Sequence, residues 1–107
     1  MKIVYNNIIP FKGFKAVNIL GVMFARRGAR VSDVLVNHER IHTAQMREML
    51  YVFFYVWYVL EWLVRLVCCF SSHKAYRSIS LEREAYCNER DGSYLRKRRH
   101  FCWIKMI

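Results

Sequence analysis

One proline and four glycines are spread over 107 residues, so the chain contains no glycine-rich phosphate loop, no low-complexity tract and no internal repeat. The four cysteines, at 68, 69, 87 and 102, form no C-x-x-C pair, and two of them are adjacent in an apolar run. That spacing argues against a zinc ribbon and a disulfide framework, and mostly buried thiols are expected. Acidic residues are scarce, with 8 Asp and Glu against 18 Lys and Arg, a formal net charge of +10. Such a surplus attracts polyanions, whether phospholipid or nucleic acid. No zinc-finger spacing or other reading motif accompanies it, so nucleic acid is the less expected partner. Asn6, Asn7 and Pro10 interrupt the N-terminus before a signal-peptide apolar region forms, which points to the cytoplasm or the cytoplasmic face of a membrane.

What is present is the run Asn37-His38-Glu39-Arg40-Ile41-His42. Four residues along an α-helix advance about 6 Å and turn slightly more than a full circle, so His38 and His42 present their rings from one face to one metal ion. Glu39 lies about 100° round the helix, placed to reach a water on that metal rather than to ligate it. Ser32 or Asp33 offers an N-cap, and Val34, Leu35, Ile41 and Met46 fit an apolar helical stripe. A catalytic zinc held by two histidines needs a third protein ligand with one position left open.

Candidates for that ligand lie in Ser80-Leu81-Glu82-Arg83-Glu84-Ala85-Tyr86-Cys87-Asn88-Glu89-Arg90, a good helix former with Ser80 or Ser78 as a weak capping-box start. On a helix Glu82 and Glu84 point about 200° apart, so only one of them can face the metal. Glu84 shares a face with Asn88, four residues on, which would let Asn88 orient a histidine ligand. Glu84 is therefore the expected third ligand and Glu82 the alternative.

The two segments together resemble the gluzincin metallopeptidases, which pair a His-Glu-x-x-His helix with a glutamate on a later helix, followed four residues on by Asp or a similar polar group. The similarity is closest to the minigluzincins, the heat-shock membrane proteases and the sensor-type peptidases, in which Arg-Glu-x-Glu-x-x-Cys-Asp-Glu follows the zinc helix. Here the stretch reads Leu81-Glu82-Arg83-Glu84-Ala85-Tyr86-Cys87-Asn88-Glu89, with Asn88 where aspartate is usual. The resemblance covers roughly residues 33 to 90. It implies zinc-dependent peptide-bond hydrolysis, and a strand ahead of the zinc helix, with Ile19 to Phe24 as the candidate, that borders the cleft and pairs with extended substrate. Zinc lowers the pKa of its bound water, and Glu39 is the expected general base. Tyr76, Arg77, Tyr86 and His73 are oxyanion-donor candidates among which spacing does not choose, with His73 read as a polar loop residue.

The rest of the chain suggests a single α+β domain over 1–107: a short N-terminal hairpin or small sheet, the zinc helix, a long apolar helix and a C-terminal helix. Residues 3–9 and 17–24 read as the two strands, separated by Pro10 to Lys15, and Arg26 to Arg30 around Gly28 as a loop. Met49 to Leu60 is apolar for 12 residues before Glu61 and Arg65 interrupt it, short of the roughly 20 that a simple membrane span requires. Glu61 and Arg65 are placed to pair at i,i+4. The block Arg96-Lys97-Arg98-Arg99-His100 runs into an aromatic, apolar end, an arrangement suited to an anionic membrane surface or to a solvated helix end. Two other functions fit the sequence, a latent zinc-binding interaction module of the same fold and a basic binder of nucleic acid or anionic membrane.

Overall fold

In the computed structural model, residues 2–8, 16–28 and 30–107 are described. The chain runs through three strands, β1 (Ile3–Asn6), β2 (Ala16–Ile19) and β3 (Val22–Arg26), and then through helices α1 (Asp33–Glu48), α2 (Val52–Cys69), α3 (Ser72–Ser78), α4 (Ser80–Asn88) and α5 (Tyr94–Lys97) before a final 3-10 turn at Cys102–Met106. This is an α+β fold with a small N-terminal sheet and one long apolar helix, as the sequence suggests.

The sheet is more elaborate than a two-stranded hairpin. Leu20 and Gly21 both take positive φ, 51° and 88°, and the pairing of Ile19 with Val22 across them makes a two-residue hairpin loop inside the expected 17–24 strand. β1 then pairs with β3 in parallel, giving the order β1-β3-β2. Val22 to Phe24 thus lies in the central strand, hydrogen-bonded on both sides, and among the described residues β2 is the sheet edge that packs beside α1. Met23 and Ala25 are fully buried, with the period of two expected of a strand packed on one face. The expected connection Pro10 to Lys15, together with Ile9 and Ala29, lies outside the described residues.

Ser32 caps α1, its Oγ accepting from the Leu35 N–H at 3.1 Å. The buried side of α1 carries His38, Glu39, Ile41, His42, Gln45 and Met46. A helix that buries four nitrogen- or oxygen-bearing side chains beside an Ile and a Met is not an ordinary core helix, because each such group must find a partner. α1 stops at a tight reversal where Leu50 and Tyr51 adopt positive φ, and α2 begins only at Val52.

α4 starts without help from Ser78 or Ser80 as a side-chain cap. The buried carboxylate of Glu61 on α2 takes the place of the cap, accepting from Ser80 N at 2.9 Å and Ser80 Oγ at 2.5 Å, while Arg65 pairs with it at 3.5 Å. Ile79 and Leu81, fully buried, join Met46, Met49, Phe54 and Trp103 in the main core. Each such side chain contributes roughly 1.5–3 kcal/mol by leaving water.

Two expectations are corrected here. None of the four cysteines is buried: Cys68 and Cys87 are exposed on the outward sides of α2 and α4, and Cys69 and Cys102 are partly covered. His73 is an exposed residue of α3 rather than of a loop, because Ser71 caps that helix through Lys74 N. α2 itself buries only Phe54 and Glu61, although its 18 residues are long and apolar enough to cross a membrane.

Candidate metal centre

α1 brings His38 and His42 onto one face, as their spacing requires, and α4 packs across that face. The side chain that α4 delivers is Glu82. Its Oε1 lies 3.1 Å from His38 Nε2 and 2.9 Å from His42 Nε2, and the two Nε2 atoms are 3.1 Å apart. All three residues are buried, each 4% exposed.

Glu84 is not part of this cluster. It faces the opposite side of α4, fully buried, where its carboxylate accepts from Arg98, from the Tyr94 hydroxyl at 2.6 Å and from Gln45 Nε2 at 3.0 Å. Burial disfavours its charge, but those hydrogen bonds, Arg98 foremost, hold its pKa below the usual carboxylate value. The sequence-based preference for Glu84 thus yields to the alternative, Glu82: the two do point apart, and the Arg98 guanidinium claims the one that shares a face with Asn88. Asn88 does not reach a histidine either, since its Nδ2 donates to the Glu84 carbonyl within its own helix at 2.8 Å.

The imidazoles are oriented by residues that the motif did not reveal. His38 Nδ1 lies 2.8 Å from Glu89 Oε2, and His42 Nδ1 lies 2.8 Å from Gln45 Oε1. Glu89 is seven residues after Glu82, so helical periodicity places both carboxylates on one face of α4 or its continuation. That signal was available in the sequence. Asn37 strengthens the arrangement by donating to the Glu89 carbonyl at 2.8 Å and the Asp91 carbonyl at 3.0 Å, fastening the end of α4 to α1. On the far side, Tyr58 of α2 donates to Glu82 Oε2 at 2.6 Å.

With Nδ1 of each ring occupied as a donor, both Nε2 lone pairs and Glu82 Oε1 point into one small space. Three electron-pair donors so close repel one another unless a cation or a proton sits among them. Donor separations of 2.9–3.1 Å are near the edge, about 3.3 Å, of a tetrahedron with zinc–ligand bonds of about 2.0 Å. Donor set, burial and spacing fit zinc, and the three donor atoms lie within 4.8 Å of one another. The His38-Glu39-x-x-His42 run with distal Glu82 matches a gluzincin-type zinc site.

In the metal-free state the same crowding is visible as titration. Burial opposes a charged His42, but the Glu82 carboxylate, by its charge and its hydrogen bond, and then Glu39 and Gln45 outweigh it and push the ring up to about 9. Glu82 is held well below the ordinary carboxylate range: burial works against its charge, and His42, His38 and the Tyr58 hydroxyl overcome it. Glu39 moves the other way, raised by burial against the pull of His42 and His38.

Glu39 lines two cavities. The larger, about 420 Å³, runs between β2 and α2, with Ala16, Val17 and Asn18 on one wall, Phe54, Tyr55 and Tyr58 on the other, and His42 and Glu82 at its base. The smaller, about 190 Å³, lies beside His38, Tyr86 and Glu89. Tyr76 borders both. Its hydroxyl is 2.8 Å from that of Tyr86, while Arg77 stacks 3.6 Å over the Tyr86 ring. β2 is fixed against α1 by Asn18, whose Nδ2 donates to the Glu39 carbonyl at 2.9 Å and to Thr43 Oγ1 at 3.0 Å.

Comparison of the chain with family models, with curated proteins and with solved structures gives no match. The geometry therefore carries the assignment. A His, His, Glu triad opening onto a cleft, with a further glutamate beside it, is consistent with metal-activated water hydrolysis at a zinc site and supports a zinc metallopeptidase. A site of this kind points to a peptide or protein as substrate.

Proposed function

We propose that the chain is a minimal single-domain zinc peptidase of gluzincin type, in which His38, His42 and Glu82 hold the metal and Glu39 is the general base. The observation that carries this is the convergence of three buried donor atoms at 2.9–3.1 Å. Bound zinc supplies Lewis acidity, acidifying water and polarising a carbonyl. Glu39, raised above the ordinary carboxylate value by burial, takes a proton from water at its carboxylate and returns it to the departing amine. Tyr76, which lines both cavities together with Glu39, is our choice of donor to the developing oxyanion. Among the described residues no strand pairs with the outer edge of β2, which is the edge we assign to an extended peptide, and the apolar walls of the cleft favour apolar side chains.

The test compares turnover of a mixed peptide library with zinc, with a chelator, and by Glu39→Gln. Chelator-sensitive cleavage that the variant lacks despite full zinc content is the expected result. Zinc binding with no cleavage of any peptide would assign the latent module instead.

A second reading concerns location, and α2 favours it. Phe53, Val56, Val59, Leu60, Leu63, Val64 and Val67 are all exposed, from 46% to 71%, and no exposed acidic residue lies among them. The opposite side of the helix is fastened to the body along its length, by Tyr55 to Leu20 N, Tyr58 to Glu82, Glu61 to Ser80 and Trp62 to the Ser72 carbonyl. A helix so attached cannot cross a bilayer without drawing the sheet and α1 in with it. We therefore propose that α2 lies along an anionic cytoplasmic membrane face, with Arg96, Lys97 and Arg99 contributing attraction. Arg98 is excluded from that role by its burial against Glu48 and Glu84. Sedimentation with anionic vesicles, lost in Val64→Asp, is expected; equal retention by neutral vesicles would remove the basic residues from the account. Salt-sensitive retention of DNA in place of vesicles would favour the nucleic-acid binder.

A further inference from the structure

We infer that Gln45 is a positioning residue that sets which nitrogen of His42 is free to bind metal. The inference rests on the proposed metal site and concerns a residue outside the His-Glu-x-x-His motif.

Gln45 is fully buried, so its amide must satisfy itself within the protein. Its Nε2 lies 2.9 Å from the Leu81 carbonyl oxygen and 3.0 Å from Glu84 Oε1. Both of those partners accept: one is a backbone carbonyl, and the other is a carboxylate that already accepts from Arg98 and the Tyr94 hydroxyl. The amide nitrogen therefore has to face them. A flipped amide would set its oxygen against a carbonyl and a carboxylate, acceptor facing acceptor, and would turn its own buried nitrogen away from both.

With the nitrogen so committed, Gln45 Oε1 is the atom 2.8 Å from His42 Nδ1. An amide oxygen can only accept, so His42 must carry its proton on Nδ1. The lone pair of the neutral ring is then on Nε2, which faces His38 Nε2 and Glu82 Oε1. The constraint starts far from the metal: Arg98, 5% exposed, binds Glu48 and Glu84 together, Glu84 fixes Gln45, and Gln45 fixes the ring. His38 depends on a separate partner, Glu89 Oε2, so its orientation is untouched by this chain of bonds. The fully buried Glu84, which does not reach the metal cluster, thus acquires a role in presenting one of its members.

The test uses Gln45→Met, which keeps length and apolar packing but removes both amide groups. Zinc affinity, measured by competition with a chromophoric chelator, is expected to fall 10–100-fold. Nitrogen-15 NMR of the zinc-free protein, followed over pH until the ring has lost its charge, reports the tautomer directly. Wild-type His42 is expected with its proton on Nδ1, and Gln45→Met with a mixture of both tautomers. A purely structural role for Gln45 would lower the melting temperature and leave the tautomer unchanged. Wild-type zinc affinity in the folded Gln45→Met protein, or a wild-type His42 protonated on Nε2, would overturn the inference. If the variant does not fold, the wild-type tautomer decides alone. A wild-type chain that binds no zinc would instead overturn the metal site, and the NMR result would still judge Gln45.

Discussion

Tyr58 on α2 donates its hydroxyl to Glu82 Oε2 at 2.6 Å, while the other oxygen of that carboxylate faces the two imidazoles. The apolar helix thereby holds one wall of the His38–His42–Glu82 cluster as well as one wall of the cleft.

Removing that hydroxyl is expected to loosen the carboxylate without unfolding the chain, because the Tyr58 ring keeps its packing against Phe54, 5.8 Å between centroids. Tyr58→Phe should weaken zinc binding by about tenfold, within the range seen when a residue supporting a metal ligand is lost. Chelator competition measures it. Unchanged affinity would show that His38 and His42 are enough to hold Glu82 in place.

The two glutamates of α4 should separate cleanly. Glu82→Ala is expected to lose bound zinc, and Glu84→Gln to retain one zinc per chain while melting at lower temperature. Metal content of the purified variants, read beside their thermal unfolding, distinguishes the two. Zinc retained in Glu82→Ala and lost in Glu84→Gln would return the third ligand to position 84.

Arg98 is expected to matter more to stability than any other residue of the basic C-terminal block. Its guanidinium is 5% exposed, and its partners Glu48 and Glu84 are 3% and 0% exposed in their side chains. Arg98→Met leaves two buried carboxylates without their cation, a change that costs about 3–5 kcal/mol. Chemical denaturation should show that loss, while Arg96→Met and Arg99→Met should shift stability by no more than about 0.5 kcal/mol.

The burial of Arg98 also shows where the sequence stops being informative. His38, His42 and Glu39 follow from the period of a helix, which is a local property, and so does the N-cap at Ser32. The choice between Glu82 and Glu84 depends on which face of α4 meets α1, and that depends on a cation 14 residues beyond Glu84, inside a run of five basic residues that reads as solvated surface. Only tertiary packing shows which of the five turns inward. The sheet was legible in composition but not in order, since the parallel pairing of β1 with β3 is a long-range choice and the turn at Leu20-Gly21 has only one glycine to signal it. Gln45 stands three residues after His42, on the same side of the helix, and was open to inference as a partner of the ring. Tyr58 was not, because nothing in an apolar aromatic run distinguishes one tyrosine from its neighbours.

Proton and metal compete at His42, and the direction of that competition sets the final prediction. The ring titrates at about 9 in the folded, zinc-free chain, against an ordinary value of 6.5. Between these two values the folded protein holds a proton that the unfolded chain has released, so this contribution to stability is complete below pH 6.5 and is lost as pH rises through 9. The melting temperature of zinc-free protein should therefore drop across that window, by roughly 5 °C or more. Zinc takes the same Nε2 lone pair and must displace the proton, so its apparent affinity should climb over the same interval and level off above it. The two trends run in opposite directions from one group. His42→Gln should abolish both, and a zinc-free melting temperature that stays flat from pH 6.5 to 9 would mean that Glu82 does not hold a charged ring in the empty cluster.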